Sequence, residues 1–111
     1  MSQRDDRHYL EQMLEYANEI ERTVAHLSRA EFDGDTHAQS HVIRYAQYIG
    51  EAGRNVSRTL KEAHPEIDWP KIIGMRHRLV HRYDEIDLTV VWSTATVDIP
   101  HLITTLSNLL P

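Results

Sequence analysis

The chain has no cysteine among its 111 residues, so disulfides, thiolate nucleophiles and cysteine-held metals lie outside its chemistry. A reducing cytoplasm is the simplest home for such a protein. No apolar run approaches the roughly 20 residues that span a bilayer. The opening "MSQRDDRHYLEQ" contains no apolar signal region, so neither membrane insertion nor secretion is expected. Glycine-rich phosphate loops, GxGxxG and a Ser-His-Asp set are missing as well. Positive charge is scarce: 12 Lys and Arg face 17 Asp and Glu, for a net charge of −5. That balance argues against a general nucleic-acid coat, which is normally basic. It is also uneven. Lys71 to Arg82 holds four Lys or Arg and no acid, so the other 99 residues carry 8 cations and 17 anions, or −9. After Arg82 there is no Lys or Arg at all. Any polyanion must therefore bind near this one stretch.

What is present is ordinary globular material, 41% apolar and 26% charged, which suits one domain over residues 1–111 with a modest core. Tyr9, Met13, Tyr16, Ile20, Val24 and Leu27 recur at steps of three and four, which predicts a helix over about Asp5 to Arg29. "FDGDT" breaks it. A second helix is expected from about Thr36 to Ala63, on the stripe Val42, Tyr45, Ile49, Ala52, Val56 and Leu60. Gly50 and Gly53 in its middle each cost about 1 kcal/mol of helix propensity, so another helix should cross closely there. Pro65 ends this helix; Asp68 can cap a third, Trp69 to Arg82, with Pro70 in its first turn. Asp87 can cap a fourth, with Leu88, Val91, Trp92, Ala95 and Ile99 inward. Pro100 should kink or restart it, and Leu102, Ile103, Leu106 and Leu109 continue the stripe. "TVVW" and "STATVDI" have the β-branched bias of strands, but spacing and length favour helix. The expected architecture is all-α, an antiparallel bundle of four to five helices.

The stretch "GMRHRLVHRYDEID", Gly74 to Asp87, is the unusual one. Its bland reading is a helix end whose cations offset the negative dipole, with Met75, Leu79 and Val80 facing the core. Its chemical reading starts from proton mobility. Histidine exchanges protons near neutral pH, and arginine grips phosphate with a planar, permanently charged fork. One of each suffices for a metal-free ribonuclease site. A histidine would move a proton at the 2′-hydroxyl or the 5′-oxygen, and an arginine would stabilise charge building on phosphorus. Positions 76 and 81 differ by five, so on one regular helix their side chains would diverge by about 140°. A homodimer with two facing copies removes that difficulty and doubles the positive charge.

Arg76-His77-Arg78-Leu79-Val80-His81-Arg82-Tyr83 resembles the Arg-x4-His-x-Tyr motif of HepT-type toxins in the HEPN superfamily. "YIGEAGRNVS", "HPEIDWPKIIGMRHRLVHRYDEIDLTVVW" and "DIPHL" are similar to that family in the expected order. The resemblance implies a HEPN-like helical homodimer whose motif copies meet in a cleft. It implies an endoribonuclease toxin that needs no metal or other cofactor and leaves a 2′,3′-cyclic phosphate. A minimal nucleotidyltransferase (MNT) antitoxin would silence it by AMPylation, transferring AMP to the motif tyrosine. Carried over, Arg76 and His81 are the catalytic pair and Tyr83 the acceptor of AMP. Many members have Asn where this chain has His77, so the role of that position is open. His77, Arg78, Arg82 and Glu51 are candidates to bind substrate phosphate or support the site. An alternative function uses the same residues: a non-catalytic helical dimer that docks the nucleotidyltransferase and presents Tyr83.

The remaining histidines carry less. His37 and His41 have a metal-binding spacing but no third ligand, and His8, His26, His64 and His101 are scattered. Trp69 and Trp92 read as core anchors rather than as platforms for bases.

Overall fold

A computed structural model describes residues 3–82 and 85–111, without the side chains of Gln3, Arg4 and Arg82. Three long helices form the frame: α1 (Gln3–Val24), α3 (Thr36–Asn55) and α8 (Ile99–Leu109), with α3 and α8 both packed on α1. Between them lie α2 (Arg29–Asp33), α4 (Arg58–Ala63), α5 (Trp69–Ile73), α6 (Met75–Leu79) and α7 (Leu88–Ser93). A two-stranded antiparallel ribbon, β1 (Val80–Arg82) and β2 (Glu85–Ile86), follows α6. The bundle is all-α apart from this ribbon.

The core follows the predicted stripes with a shift. Met13, Ile20, Val42 and Ile49 are fully buried, as are Phe32, Val91, Ile99 and Leu106. On α1 the most buried line is Leu10, Met13, Ala17, Ile20 and Val24. Tyr9 and Tyr16 are only half-buried. Tyr16 instead packs at its edge with Tyr45 and Tyr48, ring centres 5.7 and 5.5 Å away. Small Ala17 lets the helices approach, while tyrosine keeps its hydroxyl near water.

The first two expected helices are interrupted where a side chain offers the backbone another partner. Ser28 starts α2 with a capping box: its hydroxyl accepts from the Glu31 N–H at 3.1 Å, and the Glu31 carboxylate accepts from the Ser28 N–H at 2.9 Å. The helix expected to run from Thr36 to Ala63 stops at Asn55, because Ser57 caps a new one, α4, by accepting from Leu60 N–H at 3.2 Å. Asp6 holds that junction. This buried carboxylate accepts from the Ser57 N–H at 2.7 Å and its hydroxyl at 2.6 Å, tying α1 to the start of α4. Buried Gln39 donates to the carbonyls of Phe32 and Asp33, satisfying the open end of α2.

The third expected helix, Trp69 to Arg82, is the largest departure. It breaks at Gly74 and ends at Leu79; Val80 is already extended, at φ −132° and ψ 100°. Asp68 caps it as expected, accepting from Lys71 N–H at 3.1 Å, and Trp69 is buried. Asp87 caps α7 by accepting from the N–H groups of Thr89 and Val90. "TVVW" is helical, not strand, and Trp92 stacks beside Phe32 with ring centres 5.2 Å apart. Pro100 restarts rather than breaks the last helix: a π-helical turn over Thr94–Asp98 precedes it, and α8 begins at Ile99 with the proline in its first turn.

Candidate active site

The site begins with a glycine that has no room for a side chain. A Cβ on Gly50 would lie 2.6 Å from the carbonyl oxygen of Ile73. The end of α5 therefore rests directly on the backbone of α3. Gly53, one turn on, lies under the side chains of Met13 and Ile73. This is the close crossing that the two glycines predict, and it sets the position of everything after Ile73. Gly74 then turns the chain. Its N–H donates to the Pro70 carbonyl at 2.9 Å, and α6 starts along a new line.

On α6 and β1 the apolar residues anchor and the ionisable ones face out. Met75, Leu79 and Val80 are buried at 4%, 0% and 6% exposure. Arg76, His77 and His81 are exposed. The fixed residues thus hold the chemical ones from behind.

Glu51, Arg76 and His77 come together. With Gln47, Arg54, Ile73 and Gly74 they line a depression of about 540 Å³ between α3 and α6. The Glu51 carboxylate accepts from the Gln47 amide at 3.2 Å, which holds it along its own helix. His81 opens elsewhere, onto a depression lined by Glu85, Ile86, Asp87, Leu88 and Thr89. Because the helix ends at Leu79, the 140° argument no longer applies. Even so, Arg76 and His81 border different depressions. Arg78 turns to a third place, beside Lys71: both reach the Asp98 carboxylate, at 3.9 and 4.0 Å. Tyr83 lies outside the described residues, as does the side chain of Arg82.

Among the described residues no group of three His, Asp or Glu is placed to hold a metal ion. His41 instead pairs with Glu19 at 3.1 Å, and His64 with Glu66 at 3.1 Å. No described helix is long and apolar enough to cross a membrane. Arg54, which lines the same depression as Arg76, is a residue that the sequence reading did not single out. Its signal was present, since Gln47, Glu51 and Arg54 follow the steps of four and three that keep residues on one helix face.

The family model described as ribonuclease HepT-like matches residues 13–109. The chain belongs to the HepT-like family. A "Probable ribonuclease HepT" of Thermococcus cleftensis is 37% identical over 99 residues, covering 89% of this chain and 90% of that protein. Two proteins of Methanocaldococcus jannaschii, each named "Putative RNase", are 31% identical over 102 residues. They are covered to 84% and 94% of their length by 92% of this chain. No solved structure matches the chain. The all-α, HEPN-like bundle is the fold that the Arg-x4-His-x-Tyr resemblance implied, and its Arg76 and His81 lie on either side of the break between α6 and β1.

Proposed function

We propose that the protein is an endoribonuclease toxin that cleaves RNA in the cytoplasm without a metal ion, as a homodimer. The observation that carries this reading is the anchoring of Arg76, His77 and His81 as exposed groups on a segment whose apolar residues are buried. Its membership of a family described as ribonuclease supports the choice of RNA.

In the proposed reaction one His81 takes the proton of a 2′-hydroxyl, and the freed oxygen attacks the adjacent phosphorus. The bond to the 5′-oxygen breaks, and the His81 of the second copy gives that oxygen a proton. The products are a 2′,3′-cyclic phosphate and a 5′-hydroxyl. Arg76 stabilises the negative charge on the phosphorane oxygens. That Arg76 and His81 of one chain border different depressions supports a reaction shared between two copies. In this reading Arg78 and Arg82 add positive charge near the bound strand, and His77 borders the same depression as Arg76. Tyr83, two residues past His81, is the point of control. A minimal nucleotidyltransferase would add AMP to its hydroxyl, and the attached phosphate would occupy the arginines that recruit RNA.

Expression of the chain alone tests the reading. It should arrest growth and cleave RNA with EDTA present. His81→Ala or Arg76→Ala should each lower kcat by about 10²–10⁴-fold while the melting temperature holds. Wild-type toxicity in the His81 variant overturns the mechanism. With the nucleotidyltransferase co-expressed, intact mass should rise by AMP-sized steps, and Tyr83→Phe should abolish them and stay toxic. AMP transfer without any RNA cleavage would identify the protein as a docking module instead.

A further inference from the structure

We infer that the α3 side of the depression, with Arg54 at its centre, is a second phosphate subsite. It would hold a backbone phosphate of single-stranded RNA next to the one that is cleaved. The inference rests on the proposed RNA substrate and names how that substrate is held.

Arg54 and Arg76 come from different elements, α3 and α6, and border the same depression of about 540 Å³. The Ile73 carbonyl on Gly50 fixes the distance between those elements. Two permanent guanidinium charges and one imidazole, His77, face a single carboxylate, Glu51. That acid is already engaged by the Gln47 amide. The depression therefore has an excess of hydrogen-bond donors and positive charge, the environment that a phosphate diester needs.

Four other exposed helical arginines are paired along their own helix, whereas among the described residues exposed Arg44 on α3 is not. Arg7 meets Glu11 at 2.7 Å, Arg22 meets Glu19 at 2.6 Å, Arg29 meets Asp33 at 2.8 Å and Arg58 meets Glu62 at 2.9 Å. Among the described residues Arg54 and Arg76 form no ion pair of this kind.

Arg54 also lies in the last turn of α3, where a cation offsets the helix dipole. Other groups already serve that end. Lys61 Nζ donates to the Arg54 carbonyl at 3.4 Å, and Asn55 Nδ2 donates to the Glu51 carbonyl at 3.0 Å. The Arg54 guanidinium is thus left for the depression. An RNA strand crossing from Arg76 to Arg54 would meet phosphate-binding groups that read no base, so the subsite should act alike on all sequences.

The test uses a fluorescent single-stranded oligoribonucleotide of mixed sequence, 2′-O-methylated so that it cannot be cleaved. Anisotropy is followed against salt for the full chain. Arg54→Gln should weaken binding about tenfold and reduce the slope of log affinity against log salt by about 0.7, the value for one lost phosphate contact on a single strand. On unmodified RNA its KM should rise while kcat stays within about twofold. Arg54→Lys, which keeps the charge, should restore the slope. Arg58→Gln, on α4 and already paired with Glu62, should leave both affinity and slope as they were. Equal loss in Arg54→Gln and Arg58→Gln, or a lower melting temperature with unchanged slope, overturns the subsite and leaves a helix-end role. A wild-type chain that binds the oligonucleotide but cleaves no RNA overturns the proposed activity alone, because the Arg54 readout is still measured. A chain that binds no RNA overturns both.

Discussion

The α1–α3 face and the segment from Gly74 to Ile86 are built on opposite terms. On the first, helices of 22 and 20 residues bury Met13, Ile20, Val42 and Ile49 completely. Arg7 and Arg22 of α1 lie along its surface, paired with acids one turn away. In the second, a five-residue helix and a short ribbon hold exposed Arg76, His77 and His81 with only a few buried side chains beneath. Stability is concentrated where the backbone is regular. The candidate chemical groups are concentrated where it is interrupted, and an interrupted segment can aim side chains that a continuous helix would spread around its axis.

This division can be broken from the packed side first. Met13→Ala removes a fully buried side chain whose methyl group lies against Gly53. It should cost about 2–5 kcal/mol of folding free energy, measured by urea denaturation. At temperatures where the variant is still folded, cleavage per folded molecule should match the wild type. A specific loss of kcat there would show that the core and the site are not separable.

Gly50→Ala strikes the boundary between the two regions, with a smaller cost in stability and a second effect on function. The added methyl would meet the Ile73 carbonyl, so α5 and α6 must move off α3. Overpacking of this kind costs about 1–3 kcal/mol. Because Arg76 and His77 ride on the displaced turn, kcat should fall out of proportion to the loss of stability. Denaturation and single-turnover cleavage on the same preparation separate the two. A destabilised but fully active variant would show that the α3 contact supports the fold alone.

The sequence disclosed the packed region almost completely and the site only in part, for reasons that lie in range. Helix stripes and caps are local: Met13 to Ile20, Asp68 to Lys71 and Asp87 to Val90 can each be found within a few residues. The Gly50–Gly53 crossing was legible too, since glycine in a helix interior needs a close neighbour as its reason. The end of α3 at Asn55 was not, because Asp6, 51 residues away, helps to hold Ser57 as a cap. Nor was the end of α6 at Leu79. There the pairing of Val80, inside the expected helix, with Ile86, beyond its end, competes with helix. The separation of Arg78 from Arg76, toward Lys71 and Asp98, is instead ordinary helix geometry, since residues two apart on α6 point about 160° away from each other.

The smallest effect expected is at Glu19, and it sharpens the comparison by testing a surface that should have no role in cleavage. Its carboxyl is held below its usual value of 4.5, chiefly by the hydrogen bond from the Arg22 guanidinium and then by that from His41. A carboxyl whose pKa is lower folded than unfolded favours the folded state above the unfolded value. That contribution is lost as pH falls through the folded value. Glu19→Gln should therefore melt slightly below the wild type at pH 7, and the two melting temperatures should converge as pH drops below about 4.5. The carboxylate is half-buried but its Arg22 partner is exposed, so added salt should narrow the gap at neutral pH as well. Cleavage and its pH profile should be unchanged, since Glu19 sits on α1 and borders neither the Arg76 nor the His81 depression. A gap that widens toward acid pH would reverse the sign and show that Glu19 is strained rather than stabilised by its neighbours. A shifted cleavage profile would show that the ion pairs of the packed face reach the site after all.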